Sequence, residues 1–142
     1  MSVIYCDTSL LVAALTIEPQ TRAVQEWMAG QDESTLCTSR WAVTEFSSAI
    51  ALKLRRGEIT TGDRNRALAN LRKMQNDSLI TVPVPGEAFD LAARFCDMKG
   101  SALRAGDALH LAMAALGGLG LATLDARMKE GAEAVGVSVV GV

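Results

Sequence analysis

Residues 3–15 read VIYCDTSLLVAAL, a short apolar run, one aspartate and then a longer apolar run. Val3 to Cys6 is β-branched and aromatic, which predicts a buried strand. From Ser9 to Thr16 the leucines and alanines fall at helical spacing, and Pro19 follows soon afterwards. The stretch therefore predicts a strand that leads directly into a helix, with Asp7 at the junction.

The rest of the chain alternates between strand-like and helix-like segments. Further strands are predicted at residues 35–38, 79–84, 119–123 and 137–140. Further helices are predicted at residues 21–29, 41–55, 62–75, 86–98, 107–116 and 125–130. Strands that alternate with helices imply a mainly parallel sheet with both faces covered. We predict one α/β domain over residues 1–142, a three-layer α/β/α fold with a mainly parallel central sheet.

The composition excludes several classes of protein. Of 142 residues, 14 are Lys or Arg, 16 are Asp or Glu and 49% are hydrophobic, which excludes a disordered chain and a strongly basic coat. Three widely spaced cysteines argue against a zinc knuckle and favour reduced thiols. The longest uncharged apolar run covers the 14 residues 111–124, fewer than the roughly 20 that span a bilayer. We therefore expect a cytoplasmic protein that has no membrane partner.

Three aspartates fall where predicted strands end or predicted helices begin. Asp7 follows the first strand, Asp125 follows the strand over 119–123, and Asp107 opens an apolar helix after the Gly106 turn. In open parallel sheets, ligands bind beyond the carboxyl ends of the strands. The alternative for each aspartate is a helix N-cap, a role that suits its side chain.

Glu45 is harder to explain as a structural residue. It shares a helical stripe with three apolar residues, Ala42, Ala49 and Leu52. A buried carboxylate is costly unless it is paired or bound to metal, so the alternative is an ion pair with Arg40 or Arg104. If Glu45 joins the three aspartates, an all-oxygen site results, and such a site suits Mg²⁺ or Mn²⁺. Water activated by the metal could then attack a phosphodiester.

Four segments carry a resemblance to a known family. They are VIYCDTSLLVAAL at 3–15, WAVTEFSSAI at 41–50, LRAGDALHLAMA at 103–114 and LATLDARM at 121–128. In order and spacing they resemble the PIN-domain nucleases, and more closely the VapC ribonuclease toxins of bacterial type II toxin–antitoxin modules. The resemblance covers essentially the whole chain and implies a PIN-like fold.

The resemblance also implies a set of site residues. The acids of that family's metal site match Asp7, Glu45, Asp107 and Asp125 here. Asp7 and Asp107 would be the most direct ligands of Mg²⁺ or Mn²⁺, while Glu45 and Asp125 would complete the site, orient water or hold a second ion. A small hydroxyl often joins this pocket, and Thr8, Ser9 or Thr123 could supply it.

The implied function is a metal-dependent endoribonuclease that cleaves RNA with a metal-activated water. The resemblance further implies a homodimer inhibited by a small VapB-like antitoxin, which would place a basic side chain in the acidic groove. Alternatives are a non-toxin PIN nuclease, another Mg²⁺-dependent phosphoryl-transfer α/β domain, or an inactive binding module. A dehalogenase-like phosphatase is disfavoured, because Ser9 stands where its DxD motif needs an acid. A receiver domain is disfavoured too, because Asp7 has no adjacent acidic residue.

Two further features have two interpretations each. Residues 53–73 contain seven basic side chains against Glu58 and Asp63, which fits either a solvated surface or a track for RNA phosphates. His110 follows Asp107 by three residues on the same helical face. Because the other site residues offer only oxygen, we favour a buried, supporting histidine over a metal ligand.

Overall fold

The computed structural model describes residues 3–32 and 35–142. Over these ranges the chain forms four strands, which are β1 (Ile4–Cys6), β2 (Leu36–Ser39), β3 (Leu79–Val82) and β4 (Gly120–Ala122). The same ranges contain seven helices, which are α1 (Thr8–Leu15), α2 (Thr21–Ala29), α3 (Arg40–Arg55), α4 (Thr61–Asp77), α5 (Gly86–Asp97), α6 (Ala105–Gly117) and α7 (Ala126–Val135). None of these helices is both long and apolar enough to cross a membrane.

The four strands form one parallel sheet in the order β3-β2-β1-β4. Strand β1 is central, and its Tyr5 pairs with Cys37 of β2 and Leu121 of β4. Successive side chains of a strand point to opposite faces, so Tyr5 and Cys6 enter different cores. Cys6 packs with residues of α1 to α4, and Tyr5 packs with residues of α5 to α7. The predicted three-layer α/β/α architecture is confirmed.

The ends of the helices follow from local chemistry. Asp7 caps α1 and Ser39 caps α3, each accepting a hydrogen bond from a backbone N–H of the first turn. Gly118 and Gly136 end α6 and α7 with φ of 62° and 78°, a conformation that glycine adopts at little cost.

Three sequence predictions at the carboxyl-terminal end of the fold were wrong in detail. The strand predicted at 137–140 is a single bridge between Leu121 and Val139. Helix α7 runs to Val135 rather than to residue 130, so Gly131 lies inside it. A glycine suits this position because a Cβ there would lie 2.5 Å from the Leu103 side chain. Helix α6 begins at Ala105, so Asp107 lies in its first turn and Gly106 is helical. The other predicted elements are confirmed to within two residues at each end.

Two residues of α3 test how the core stabilises the fold. Ile50 is 0% exposed and Leu52 is 38% exposed on the same helix. We expect Ile50→Ala to lower the free energy of unfolding by about 2–5 kcal/mol, because it removes buried methyl groups and leaves a cavity. The matched Leu52→Ala variant should cost less than about 1 kcal/mol. Urea denaturation measures both, and equal losses would contradict this placement of α3.

Candidate active site

The four predicted site acids lie around the carboxyl edge of the sheet. Strands β1 and β4 are hydrogen-bonded neighbours, and Asp7 and Asp125 follow them as the N-caps of α1 and α7. Glu45 lies on α3, which follows β2 directly, and Asp107 lies in the first turn of α6. Helix capping, the structural alternative, is therefore a real role of Asp7 and Asp125, but Asp107 is not an N-cap.

Asp7 is a buried carboxylate surrounded by neutral donors. It is 2% exposed. Its Oδ1 accepts hydrogen bonds from Ser9 Oγ at 2.7 Å and from the Leu10 N–H at 3.2 Å. Its Oδ2 accepts one from the hydroxyl of Thr123. Burial raises the pKa of Asp7, and the hydrogen bonds from Thr123 and Ser9 oppose that rise without cancelling it.

The hydroxyls of Ser9 and Thr123 also tie the loop after β4 to the start of α1. Ser9 Oγ accepts a hydrogen bond from the Leu124 N–H at 3.0 Å. Thr123 Oγ1 accepts one from the Asp125 N–H, also at 3.0 Å. Of the three hydroxyls considered from sequence, these two contact Asp7, whereas Thr8 contacts Glu45.

Glu45 has an imidazole partner rather than a guanidinium. Its Oε1 accepts hydrogen bonds from Thr8 Oγ1 at 2.6 Å and from Nε2 of His110. The alternative considered from sequence, an ion pair with Arg40 or Arg104, is therefore wrong. Burial raises the pKa of Glu45, but the hydrogen bond and charge of His110, with the Thr8 hydroxyl, outweigh it and lower that pKa.

The stripe that carries Glu45 is less buried than the sequence indicated. The Glu45 side chain is 30% exposed, and Leu52, two turns further on, is exposed as well. Ala42 alone on that stripe is fully buried. Helix α3 therefore turns this stripe from the core towards solvent, and Glu45 lies at the boundary, where solutes can reach it.

His110 is buried, as predicted, and connects Glu45 to the centre of the sheet. Its Nδ1 lies 2.7 Å from the Tyr5 hydroxyl, which lies 2.8 Å from Ser39 Oγ. Because a carboxylate only accepts, Nε2 donates to Glu45, while Nδ1 and the Tyr5 hydroxyl share the second hydrogen bond of the ring. Ser39 in turn accepts from the Ala42 N–H at 3.2 Å.

Asp107 shares an electrostatic environment with two other acids. Burial raises the pKa of Asp107, and the negative charges of Asp125 and Glu45 raise it further. His110 and the backbone of Arg104 act in the opposite direction. Within the described ranges, neither Lys nor Arg forms an ion pair with any of the four acids.

The donor chemistry of this site fits a hard divalent cation. The four acids offer only oxygen ligands, which Mg²⁺ and Mn²⁺ prefer. Burial raises the pKa values of Asp7 and Asp107, and a bound cation would favour their charged forms and lower those pKa values. Among the residues that the structure describes, no three Asp, Glu, His or Cys side chains could hold a metal as they stand. Coordination by this set therefore requires side-chain adjustment.

The basic segment over residues 53–73 is partly neutralised. Lys53 pairs with Glu18 at 2.9 Å, Arg66 with Asp63 at 2.6 Å and Lys73 with Asp77 at 2.6 Å. The other basic residues of the segment form no ion pair within the described part of the chain, namely Arg55, Arg56, Arg64 and Arg72. These exposed or half-exposed cations are compatible with both of the interpretations made from sequence.

Three residues that contact the site or its partners were not predicted from the sequence. Tyr5 was predicted only as a strand residue, Ser39 was placed in neither a strand nor a helix, and Gly106 was assigned to a turn. A polar side chain within a buried strand is a signal for Tyr5 and Ser39, because it needs a partner. A glycine inside a helix is a signal for Gly106, because it indicates close approach of another group.

Comparison with known proteins gives the chain a family. The model of the PIN domain family matches residues 4–134. Ribonuclease VapC35 of Mycobacterium tuberculosis is 32% identical over an alignment of 142 positions, which spans 96% of this chain and 95% of that protein.

Solved structures share the fold at lower identity. VapC20 of Mycobacterium tuberculosis, described as a sarcin-ricin loop cleaving toxin, has a TM-score of 0.76 at 14% identity, over 96% of this chain and 98% of that one. DNA-bound VapBC from Salmonella typhimurium has a TM-score of 0.75 at 17% identity, over 99% and 98% of the two chains. FitAcB from Neisseria gonorrhoeae has a TM-score of 0.71 at 21% identity, over 98% and 97%. With its four acids at the carboxyl edge of a parallel sheet, the chain belongs to the PIN-domain family, within its VapC group.

Proposed function

We propose that this chain is a metal-dependent endoribonuclease and the toxin of a type II toxin–antitoxin module. The observation that carries the proposal is the grouping of Asp7, Glu45, Asp107 and Asp125 at one sheet edge, with no Lys or Arg paired to them in the described ranges. The ribonuclease named among its relatives supports the reaction type. In this proposal the 142 residues act as one nuclease domain.

Asp7 and Asp107 would hold Mg²⁺ or Mn²⁺, with Glu45 and Asp125 completing the site. When bound, such an ion supplies positive charge for the phosphodiester and lowers the pKa of water. Asp7 is already fixed by Ser9 and Thr123, so little side-chain freedom remains to be lost on binding. Asp107 is held by the backbone of Arg104 and by no side-chain hydroxyl among the described residues, so it has fewer restraints than Asp7.

Glu45 is suited to handle a proton of the attacking water. Its Oε1 is occupied by Thr8 and His110, and its Oε2 has no hydrogen-bond partner among the described residues. In hydrolysis the water oxygen forms a new P–O bond, its proton passes to a base, and the leaving ester oxygen takes up a proton. Oε2 can be that base, because its lowered pKa keeps the carboxylate ionised at neutral pH.

Cleavage of RNA by the purified protein tests this proposal. We expect cleavage with Mg²⁺ or Mn²⁺, none with chelator, and losses of about 10²-fold or more in Asp7→Asn and Asp107→Asn, since metal catalysis supplies several kcal/mol. Asp90→Asn, an exposed acid of α5, is the matched control and should cleave normally. Cleavage that survives both site substitutions would rule out these two residues as the metal ligands.

Metal binding can be measured without RNA. At about 100 times its dissociation constant a cation adds about 2.7 kcal/mol to stability, which corresponds to a rise of about 5–10 °C in the melting temperature for a domain of this size. We expect this rise with Mn²⁺ in the wild type and in Asp90→Asn, but not in Asp107→Asn. A full rise in Asp107→Asn would place the cation elsewhere.

We also propose that the chain forms a homodimer and is inhibited by a small VapB-like antitoxin. Similar structures that contain VapBC and FitAB complexes support such a partner. The uncompensated acids would attract a basic side chain of the antitoxin into the groove.

Light scattering and inhibition assays test the two partners. The protein alone should have twice the mass of the 15.0 kDa chain. The product of a short reading frame beside its gene should bind it and abolish RNA cleavage. One variant of that product should have a basic residue replaced by alanine. This replacement should weaken inhibition of the wild-type nuclease more than it weakens binding to the Asp125→Asn nuclease. A monomer at micromolar concentration would contradict the dimer, and unaffected cleavage would contradict the antitoxin.

A further inference from the structure

The two oxygens of Glu45 have different surroundings. Oε1 accepts hydrogen bonds from Thr8 on α1 and from His110 on α6. Oε2 points to the first turn of α6, where Gly106 lies. A carboxylate with two donors on one oxygen cannot rotate freely, so the position of Oε2 is determined by what holds Oε1 and by what leaves room beside it.

Gly106 leaves that room. A Cβ at this position would lie 2.9 Å from Glu45 Oε2 and 3.4 Å from Cζ2 of Trp41. Side-chain carbons do not approach a carboxylate oxygen this closely, so any other residue at 106 would displace Glu45. The backbone does not require glycine here, because Gly106 is helical and has an ordinary φ. Its lack of a side chain serves the contact with Glu45.

Gly106 and His110 act from one face of one helix. They are four residues apart on α6, a spacing that places two positions one above the other. His110 therefore reaches Oε1 while Gly106 lies against Oε2. Helix α6 also carries Asp107 between them, so the same helix places one acid and determines the orientation of another.

His110 is itself held by a chain of hydrogen bonds that returns to the helix of Glu45. The chain runs from His110 Nδ1 to the Tyr5 hydroxyl and on to Ser39 Oγ. Ser39 caps α3, the helix that carries Glu45. The imidazole is thus anchored in β1 and at the start of α3, and it cannot turn away from Glu45 without breaking a buried hydrogen bond.

We propose that Gly106 and His110 are positioning residues that together hold the Glu45 carboxylate with Oε2 at the first turn of α6, the turn that also carries Asp107. The inference rests on the proposed function for its effect on RNA cleavage, but the placement of Glu45 can be tested without that activity. Neither residue need touch substrate or metal to act in this way.

The first test adds one methyl group. Gly106→Ala should lower the rate of RNA cleavage by roughly 10²-fold, the cost of a misplacement of about 1 Å at a reacting group. Its melting temperature should stay the same or rise, because alanine is the better helix former. Gly86→Ala is the control, since a Cβ there would meet no atom within 4 Å. Wild-type cleavage by Gly106→Ala would overturn the role of Gly106.

The second test separates the two nitrogens of His110. A glutamine amide can occupy the position of Nε2, whereas an asparagine amide can occupy only that of Nδ1. We expect His110→Gln to retain cleavage within about tenfold of wild type and His110→Asn to lose it by roughly 10²-fold. A residue that only fills the core would show the same loss in both variants. Equal cleavage by the two variants, whether high or low, would overturn the role of His110.

A spectroscopic readout separates this inference from the proposed function. His110 is the single histidine of the chain, so its ring nitrogen signals in the metal-free protein need no assignment. We expect those signals to shift in Glu45→Gln and in Gly106→Ala, and to stay unchanged in Gly86→Ala. If the signals shift in these two variants while the wild type cleaves no RNA, the positioning contact is kept and the proposed function is rejected. If the signals of Glu45→Gln and Gly106→Ala stay unshifted while the wild type cleaves RNA, the positioning contact is rejected and the proposed function is kept.

Discussion

A carboxylate that leaves water must gain a proton, hydrogen-bond donors or positive charge, and this molecule supplies mainly donors. Asp7 accepts from two hydroxyls and one backbone N–H, and Glu45 accepts from one hydroxyl and one imidazole. No Lys or Arg within the described ranges pairs with either acid. The hydrogen bonds hold each acid in place. The negative charge of the acids therefore remains available to a cation.

The parallel sheet makes this concentration of charge possible. With every strand running the same way, Asp7 and Asp125 are brought to one edge by adjacent strands, and the helices that follow β2 and precede β4 bring Glu45 and Asp107 to it. The apolar cores on the two faces are separate, so neither core has to enclose the acids. The acids lie instead at the end of the sheet, where Glu45 is partly exposed and the buried Asp7 is surrounded by hydrogen-bond donors.

The architecture was predictable from the sequence because alternating apolar segments determine it. The acids were predictable as a set because each follows a strand or lies on an apolar helix. Their partners were not, since the contact between Glu45 and His110 joins residues that are 65 positions apart. The strand predicted over 137–140 shows the same limit: its apolar residues suit a strand, but only Val139 pairs with Leu121. Pairing depends on how neighbouring segments meet in space, and composition does not record that.

The stretch from Tyr5 to Ser9 explains why one sequence segment can determine both the fold and the site. Tyr5 bonds to His110 on α6, Asp7 to Thr123 after β4, and Thr8 to Glu45 on α3. Ser9 adds the Leu124 N–H. Because β1 is the central strand, a segment that leaves it contacts the elements on both faces. A change in the path of this junction would therefore move several acids relative to one another, which makes the junction the common reference for the geometry of the site.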